Sequence, residues 1–392
     1  MSTKTASRER AAVYLDNAAT TPVAEAVRAE MLPWLTADWG NPSSRHAFGV
    51  RARSAIDRAR EQVARALGAR AERVIFTSGG TEANNLAVLG AARARKAQGK
   101  HILVGPAEHP AVRDPALALV DEGFEVEVGK LGANGAFDLE SFLAGVRPDT
   151  VLVALMLASN EHGAIYPVSK VAIAVRRRAP HAHIHTDAVQ ALGKLEVDIV
   201  DLGVDSVSVS AHKIHGPKGT GALVLASELP LRPLVFGGGQ EGALRSGTEN
   251  VAGIVGFGEA MRLADDALVT TNAHLSALKQ RLADGLAEIG GMRVLTPGGS
   301  EESLGSIAAV LVSGAPAEVY LHHLEQRGVL VSVGSACQAH KNEASPALLA
   351  LGLSPEEARQ VLRFSFSRDS LESEVDFALE ILRELANELG SL

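Results

Sequence analysis

Short apolar segments alternate with helical patterns through residues 51–225, and this alternation most limits the folds open to the chain. Apolar side chains recur at three- and four-residue steps over 51–67, which predicts a helix, and 83–95 is predicted to form another. The apolar segments are rich in β-branched residues and predict strands at 74–77, 101–105, 126–128, 151–157, 184–186, 204–209 and 222–225. Several are apolar on both faces, as in parallel sheets covered by helices. The sequence therefore predicts an α/β fold with a mostly parallel, seven-stranded, doubly wound sheet.

The pattern changes near residue 263. A long helical stretch runs to 289, and a final helix over 371–389 carries leucines and a valine along one face. Between these helices, strands are predicted at 307–312, 329–331 and 361–365. We therefore predict a large domain over 22–262 and a smaller α+β domain formed by 1–21 and 263–392.

Composition narrows the range of functions. The chain of 392 residues has 46 acidic and 38 basic side chains, which is the wrong charge balance for a general nucleic-acid or membrane-surface binder. The longest strongly apolar run, 151–158, is far shorter than the roughly 20 residues of a membrane-spanning helix. Residues 1–10 are polar and charged, without the apolar stretch of a secretory signal. We expect a cytoplasmic protein with no direct nucleic-acid or membrane partner.

The chain has a single cysteine, Cys337. One cysteine allows no internal disulfide and no cysteine-based zinc or iron–sulfur site within one chain. Free cysteines are often buried in protein cores, so Cys337 is either a core side chain or the reactive group of the protein.

Polar residues follow several of the predicted strands, at the edge where parallel sheets bind ligands. A small-residue turn at 78–81 precedes a helix and is suited to a phosphate, although most such turns only cap helices. Lys213 follows strand 204–209, where a desolvated lysine suits a Schiff base, although an isolated lysine is more often exposed. Asp187 can pair with a pyridine nitrogen, and His109 can stack on a ring or move a proton. Together these groups predict a pyridoxal phosphate site of fold-type I.

Three alternating histidines offer a second interpretation. His181, His183 and His185 would point to one face of a strand, with Asp187 next in phase. Such a row suggests a metal-dependent hydrolase. Against it, His181 directly follows Pro180, and no second histidine cluster completes a site. We therefore expect no metal site.

From residue 14 to the C-terminal helix, the chain resembles the cysteine desulfurases, the NifS/IscS type of class V pyridoxal phosphate enzymes. The resemblance rests on motifs at 14–22 (YLDNAATTP), 40–44 (GNPSS), 76–82 (FTSGGTE), 108–109 (EH), 160–163 (NEHG), 187–190 (DAVQ), 210–219 (SAHKIHGPKG), 245–250 (RSGTEN), 334–337 (GSAC) and 363–368 (RFSFSR). It implies the pyridoxal-phosphate-dependent transferase fold of type I.

The resemblance also implies residue roles. The residues that would hold pyridoxal 5′-phosphate are Gly80, Thr81, His109, Asn160, Asp187, Gln190, Ser210, His212, Lys213 and Thr248. Lys213 would carry the cofactor covalently, and Thr248 would reach the phosphate of a neighbouring subunit, which implies a homodimer. Substrate would be bound by Asn41, Asn160 and Arg368, with Arg368 clamping its carboxylate.

The same resemblance makes Cys337 the nucleophile, with Lys213 and His109 as the other catalytic residues. The residues around Cys337 are small and polar, which is more typical of a loop than of a core. The implied reaction takes sulfur from L-cysteine, releases L-alanine and leaves a persulfide on Cys337. An acceptor protein, such as an iron–sulfur scaffold or a tRNA-thiolation protein, would receive the sulfur.

A selenocysteine lyase or a class V aminotransferase remain alternatives on the same fold. The sequence also departs from the family at Gly242 and Ala243, where many members have Arg-Gly, and at Ser159 and His162 beside Asn160.

Overall fold

A large sheet and a smaller one organise the computed structural model, which describes residues 12–132, 135–295, 303–334 and 345–389. The strands in chain order are β1 (Val13–Tyr14), β2 (Val74–Thr77), β3 (His101–Val104), β4 (Glu125–Val128), β5 (Thr150–Ala154), β6 (His183–Asp187), β7 (Ser206–Ser210), β8 (Gly221–Leu225), β9 (Arg293–Leu295), β10 (Ile307–Leu311), β11 (Val329–Leu330), β12 (Ser332–Val333) and β13 (Val361–Ser365). The helices are α1 (Glu25–Thr36), α2 (Ala47–Ala66), α3 (Gly80–Arg95), α4 (Pro110–Ala118), α5 (Leu139–Ala144), α6 (Val168–Arg178), α7 (Ile199–Leu202), α8 (Val251–Asp266), α9 (Leu268–Ala287), α10 (Ala317–Gln326), α11 (Pro346–Ala350), α12 (Pro355–Ala358) and α13 (Glu372–Leu389).

The large sheet has seven strands in the order β2-β8-β7-β6-β5-β3-β4. The pairs from β7 to β4 are parallel, whereas β8 runs antiparallel to both β2 and β7. The predicted mostly parallel, seven-stranded α/β sheet is therefore confirmed. Because only β8 is reversed, β2, β3, β5, β6 and β7 all end at the same edge, and the candidate site lies there.

Helices cover both faces of this sheet. Alternate residues of one strand belong to different cores, as the two-residue period of a strand requires. Leu103 of β3 packs in the core that contains α2, α6 and α8, whereas Ile102 packs in the core that contains α3 and α4. Burial on both faces explains why these strands are apolar throughout.

The smaller sheet is antiparallel, in the order β12-β13-β10-β9, and packs with α9, α10 and α13 around a separate core. The N-terminal segment joins this region, because β1 pairs in parallel with β11 and Asn17 Nδ2 donates to the Ser365 carbonyl at 2.9 Å. The boundaries 22–262 and 263–392 stay a prediction. Within the described ranges, no helix is both long enough and apolar enough to cross a membrane.

Several element boundaries differ from those predicted. Helix α2 begins at Ala47 and α3 at Gly80, several residues before the predicted starts. The stretch predicted as one helix to residue 289 is broken at Ala267, which separates α8 from α9. The strands at 74–77 and 361–365 have the predicted boundaries.

Candidate functional site

A cavity of about 330 Å³ opens at the carboxyl ends of the parallel strands, a volume that suits a small-molecule cofactor. All the predicted cofactor residues except Thr248 line it: Gly80, Thr81, His109, Asn160, Asp187, Gln190, Ser210, His212 and Lys213. These residues come from segments far apart in the chain, and only the shared strand edge brings them together.

Lys213 lies just beyond β7, in a short 3₁₀ turn that is closed by a hydrogen bond from the Ile214 N–H to the Ala211 carbonyl. Its side chain is half-buried and reaches into the cavity. Nζ donates to the carbonyl oxygens of Ala18 and Ala19, the latter at 2.7 Å. The amine is therefore held at the cavity wall by the segment that follows β1.

Asp187 is the last residue of β6 and is buried. Its Oδ1 accepts from the Val189 N–H at 2.9 Å, and its Oδ2 accepts from Asn84 Nδ2 at 2.6 Å. Both partners donate hydrogen bonds, as suits a carboxylate, which can only accept. This geometry presents a fixed negative charge to whatever the cavity holds.

Another part of the cavity lining is suited to an anion. Gly80 and Thr81 begin α3, where the first backbone N–H groups of a helix have no partner within the helix. Gly79 has a φ of 151°, and a Cβ on Gly80 would lie 2.7 Å from a methyl of Val189. Ser210 Oγ is buried without a hydrogen-bond partner among the described residues. The small residues and the unpaired hydroxyl match a phosphate site.

His109 caps the N-terminus of α4, and its Nδ1 accepts from the Ala111 N–H at 3.0 Å. Burial lowers the pKa of His109 below its usual 6.5, so the neutral ring carries its proton on Nε2. The adjacent Glu108 is buried, and its burial raises its pKa to about 8. Its Oε1 accepts from the Met156 N–H at 2.6 Å.

The sequence analysis missed Arg363, which lines the cavity from β13. Its guanidinium bonds to Asp16 at 2.8 Å and to the Asn160 carbonyl at 3.1 Å, and its Nε has no partner among the described residues. Arginine is rarely buried, and Arg363 is only 4% exposed. An arginine inside a mostly apolar predicted strand was the available sequence signal.

The structure does not bring every predicted residue to this cavity. Arg368 lines a smaller adjoining cavity together with Lys213 and Gln190. Asn41 and Thr248 are exposed and do not line either of these cavities. Cys337 lies outside the described residues.

The departures beside Asn160 make local contacts. Ser159 Oγ accepts from the Glu161 N–H at 3.2 Å, and His162 Nδ1 accepts from the Ala164 N–H at 3.3 Å. Both side chains are buried outside the cavity lining. Their role is to shape the turn that carries Asn160.

The chain matches the model of the family described as Aminotransferase class-V over residues 13–377. It is also similar to the cysteine desulfurase IscS of Haemophilus influenzae strain PittEE, with 41% identity over 385 residues, covering 97% of this chain and 94% of that protein. The chain belongs to the cysteine desulfurase family. The resemblance given by the sequence motifs is thus confirmed, and the metal-dependent hydrolase alternative is wrong.

Solved structures agree with this assignment. The desulfurase resembles a structure titled NifS-like protein with a TM-score of 0.90 and 35% identity, covering 96% of this chain and all of the other. It also resembles a structure titled SspA in complex with cysteine, with a TM-score of 0.80 and 33% identity, covering 91% of this chain and 99% of the other.

The histidine row has a different role from metal binding. His181 lies in the turn before β6, and the rings of His183 and His185 both hydrogen-bond to Ser206. Among the described residues of the desulfurase, no three His, Cys, Asp or Glu side chains cluster as a metal site requires.

Proposed function

We propose that this cysteine desulfurase binds pyridoxal 5′-phosphate in the 330 Å³ cavity and uses it to take sulfur from L-cysteine, with Cys337 as the sulfur acceptor. The observation that carries the proposal is the convergence of Lys213, Asp187 and His109 on one cavity. An amine, a carboxylate and an imidazole serve covalent attachment, ring-nitrogen pairing and proton transfer.

The cavity fits this cofactor at each polar position. Ser210 Oγ and Gln190 Oε1 are buried and have no partners among the described residues, so each is available to a ligand. The N-terminus of α3 and Ser210 suit the phosphate, and Asp187 suits a ring nitrogen. His212, whose pKa burial lowers to about 4, adds a neutral hydrogen-bonding group beside the phosphate position.

Each of the cavity residues has a separate role in the proposed reaction. When bound, pyridoxal phosphate supplies an electron sink for the carbanion formed at the substrate's α-carbon. Lys213 would hold the cofactor covalently, and its amine would move the proton of the substrate's α-carbon. Asp187 would hold the ring nitrogen. His109, neutral with its proton on Nε2, would donate a hydrogen bond from that nitrogen into the cavity during cleavage of the carbon–sulfur bond.

We propose that Arg363, rather than Arg368, binds the substrate carboxylate. Arg363 lines the same cavity as Lys213 and has an Nε donor without a partner among the described residues. Asn160, whose carbonyl accepts from Arg363, lies beside it. A planar guanidinium suits a carboxylate because two parallel donors match its two oxygens.

The described residues flanking 335–344 support a role for Cys337 at this cavity. Gly334 donates to the Val361 carbonyl of β13 at 2.9 Å, two residues from Arg363. Ser345 hydrogen-bonds to Glu161, which follows Asn160. Gly334 and Ser345, the described residues on either side of 335–344, therefore contact the segments that contribute Arg363 and Asn160 to the cavity lining.

We further propose a homodimer in which Thr248 reaches the phosphate of the neighbouring subunit. Thr248 is exposed and lies two residues after Ser246, whose N–H donates to the Val235 carbonyl at 3.3 Å. Phe236, the residue after Val235, is 81% exposed. A large exposed aromatic side chain on the segment that contacts Ser246 is one that a second subunit would cover.

The persulfide requires Cys337 as a free thiol, which favours a reducing compartment such as the cytoplasm. We propose that a sulfur-acceptor protein, an iron–sulfur scaffold or a tRNA-thiolation protein, then takes the sulfur.

Borohydride treatment of the purified yellow protein tests the cofactor proposal. We expect the reduced cofactor to be found on Lys213 by peptide mass spectrometry, and wild type to release equal amounts of alanine and reducible sulfur from L-cysteine. Protein without a visible chromophore after incubation with pyridoxal phosphate would show that the cofactor proposal is wrong.

A further inference from the structure

A chain of buried hydrogen bonds runs away from the cavity behind Asp187. It links side chains of α3, β6 and β7, and each member is at most 1% exposed. We call it the Asp187 relay, and its members in order from Asp187 are Asn84, His185, Ser206 and His183.

The direction of each hydrogen bond follows from the first. The Asp187 carboxylate can only accept, so Asn84 must present Nδ2 to it, at 2.6 Å. The Asn84 oxygen Oδ1 then faces His185 Nε2 at 2.9 Å, so that nitrogen must carry a proton. The opposite amide orientation would set two oxygens against each other.

The directions of the remaining hydrogen bonds follow from the neutral state of His185 and His183. Burial lowers the pKa of His185 to about 3, so its Nδ1 has a lone pair and accepts from Ser206 Oγ at 2.9 Å. Because the Ser206 hydroxyl donates its single hydrogen to His185, its oxygen accepts from His183 Nε2 at 2.7 Å. Burial also lowers the pKa of His183 well below 6.5. Every donor in the relay thus points toward Asp187.

Charged groups near both ends are consistent with these protonation states. Arg95 and Arg176 lie near His183 and further disfavour its cationic form. At the cavity end, Asp187 interacts electrostatically with Glu108 and His109, and Lys213 also lines the cavity. Of these three groups only Glu108 becomes negatively charged when it ionises, and burial raises its pKa to about 8.

We propose that the Asp187 relay is a positioning device that fixes the orientation of the Asp187 carboxylate, so that it holds a cationic nitrogen of the bound cofactor ring. Aligned hydrogen bonds polarise one another in a low-dielectric interior, so the far members strengthen the contact at Asp187. The inference rests on the pyridoxal phosphate assignment made above. It gives the two strand histidines a role in cofactor binding without contact with the cofactor.

The test compares three variants with wild type. His185→Leu removes the donor to Asn84, and His185→Gln retains an N–H at the same end of the side chain. His101→Leu is the matched control, because His101 is another buried strand histidine, on β3, whose ring bonds to Thr150 rather than to the relay. The measurements are the affinity of each apoprotein for pyridoxal phosphate, the pH dependence of the bound cofactor's visible absorption, and the melting temperature of the apoprotein.

We expect His185→Leu to weaken cofactor binding by about tenfold or more, because it weakens the charge-assisted hydrogen bond between Asp187 and the cofactor. The pH midpoint of its change in visible absorption should be higher than in wild type. A neutral cofactor ring draws less electron density from the nitrogen linked to Lys213, so that nitrogen keeps its proton to higher pH. His185→Gln should retain most of the affinity. His101→Leu should match wild type in affinity and spectrum even if it melts at lower temperature.

If His185→Leu has the affinity and the spectrum of wild type, the proposed role of the relay is wrong and the hydrogen bonds serve only to stabilise the fold. If that variant does not fold, Ser206→Ala makes a smaller change to the same chain, with a several-fold loss of affinity expected and a wild-type value contradicting the proposal. Failure of wild type itself to bind pyridoxal phosphate would overturn the cofactor assignment, and the relay with it. Normal wild-type binding with unaffected variants would overturn the relay alone.

Discussion

Replacement of Arg363 by lysine tests which arginine binds the substrate. Lysine keeps the positive charge but has no planar pair of donors, so it cannot maintain the contacts to Asp16 and Asn160 and also grip a carboxylate. Loss of one charge-assisted hydrogen bond to substrate costs about 1.5–3 kcal/mol. This corresponds to an increase of about 10- to 150-fold in KM for L-cysteine.

The same substitution also has a structural cost. Arg363 is 5% exposed and its partner Asp16 is 20% exposed in their side chains, so the pair is largely buried. Breaking a buried pair costs about 3–5 kcal/mol, and the partial exposure of Asp16 favours the lower end. We therefore expect a lower melting temperature but a folded protein at 25 °C.

Steady-state release of alanine measures the effect, with cofactor loading checked by absorbance. We expect Arg363→Lys to raise KM far more than it lowers kcat, because the lost contact acts in substrate binding. Arg368→Lys is the discriminating variant, and its KM should change by less than about threefold, as for a side chain that makes no substrate hydrogen bond. The reverse pattern, with only Arg368→Lys raising KM, would refute the assignment and support Arg368 as the clamp.

Three further predictions concern the dimer, pH and stability. Phe236→Asp should give a monomer by sedimentation, with weaker binding of pyridoxal phosphate; a monomer of full affinity would contradict the shared site. Burial raises the pKa of Glu108 from 4.5 to about 8, so between these pH values the folded protein keeps the Glu108 proton and the unfolded chain loses it. The free energy of unfolding therefore falls as pH rises from 4.5 to about 8. Glu108→Gln should therefore gain stability relative to wild type from pH 5 to 8 in urea titrations, and a constant difference would contradict this. Glu241 accepts from Arg60 and from the Phe76 N–H, so Glu241→Ala should lower the free energy of unfolding by about 3–5 kcal/mol, and a change below about 1 kcal/mol would contradict a buried pair.

Local pattern was sufficient for strands whose residues are buried on both faces. The boundaries of β2 and β13 were predicted to the residue, and β2 is a short, largely apolar run between Arg73 and the small-residue turn at 78–81. The two-residue strand β1 was not predictable in this way. Strand β1 forms because Val13 and Tyr14 pair with β11, more than 300 residues later in the sequence. No local sequence pattern indicates such a distant pairing.

The site was predictable where a motif follows a strand. Lys213, Asp187 and His109 lie where the strand-end argument and the family resemblance located them. Arg363 and Arg368 show the limit, because both belong to one motif and the sequence does not reveal which side chain enters which cavity. That choice depends on how β13 pairs with β10 and β12, and on the turn that follows Ser365.

Asn84 was missed for a related reason. It lies on the buried face of α3 among Ala83 and Ala87, so a polar residue at a buried helical position was the only signal. Its function depends on the distance to Asp187 of β6, which only the packing of α3 on the sheet determines.

The intact mass of the protein after incubation with L-cysteine tests the central claim most directly. Because Cys337 is the only cysteine, a protein-bound persulfide has one possible position. We predict that wild type gains the mass of one sulfur atom, that a thiol reductant removes it, and that Cys337→Ala and Lys213→Ala gain none. An unmodified wild-type mass, together with undiminished release of alanine by Cys337→Ala, would contradict the account.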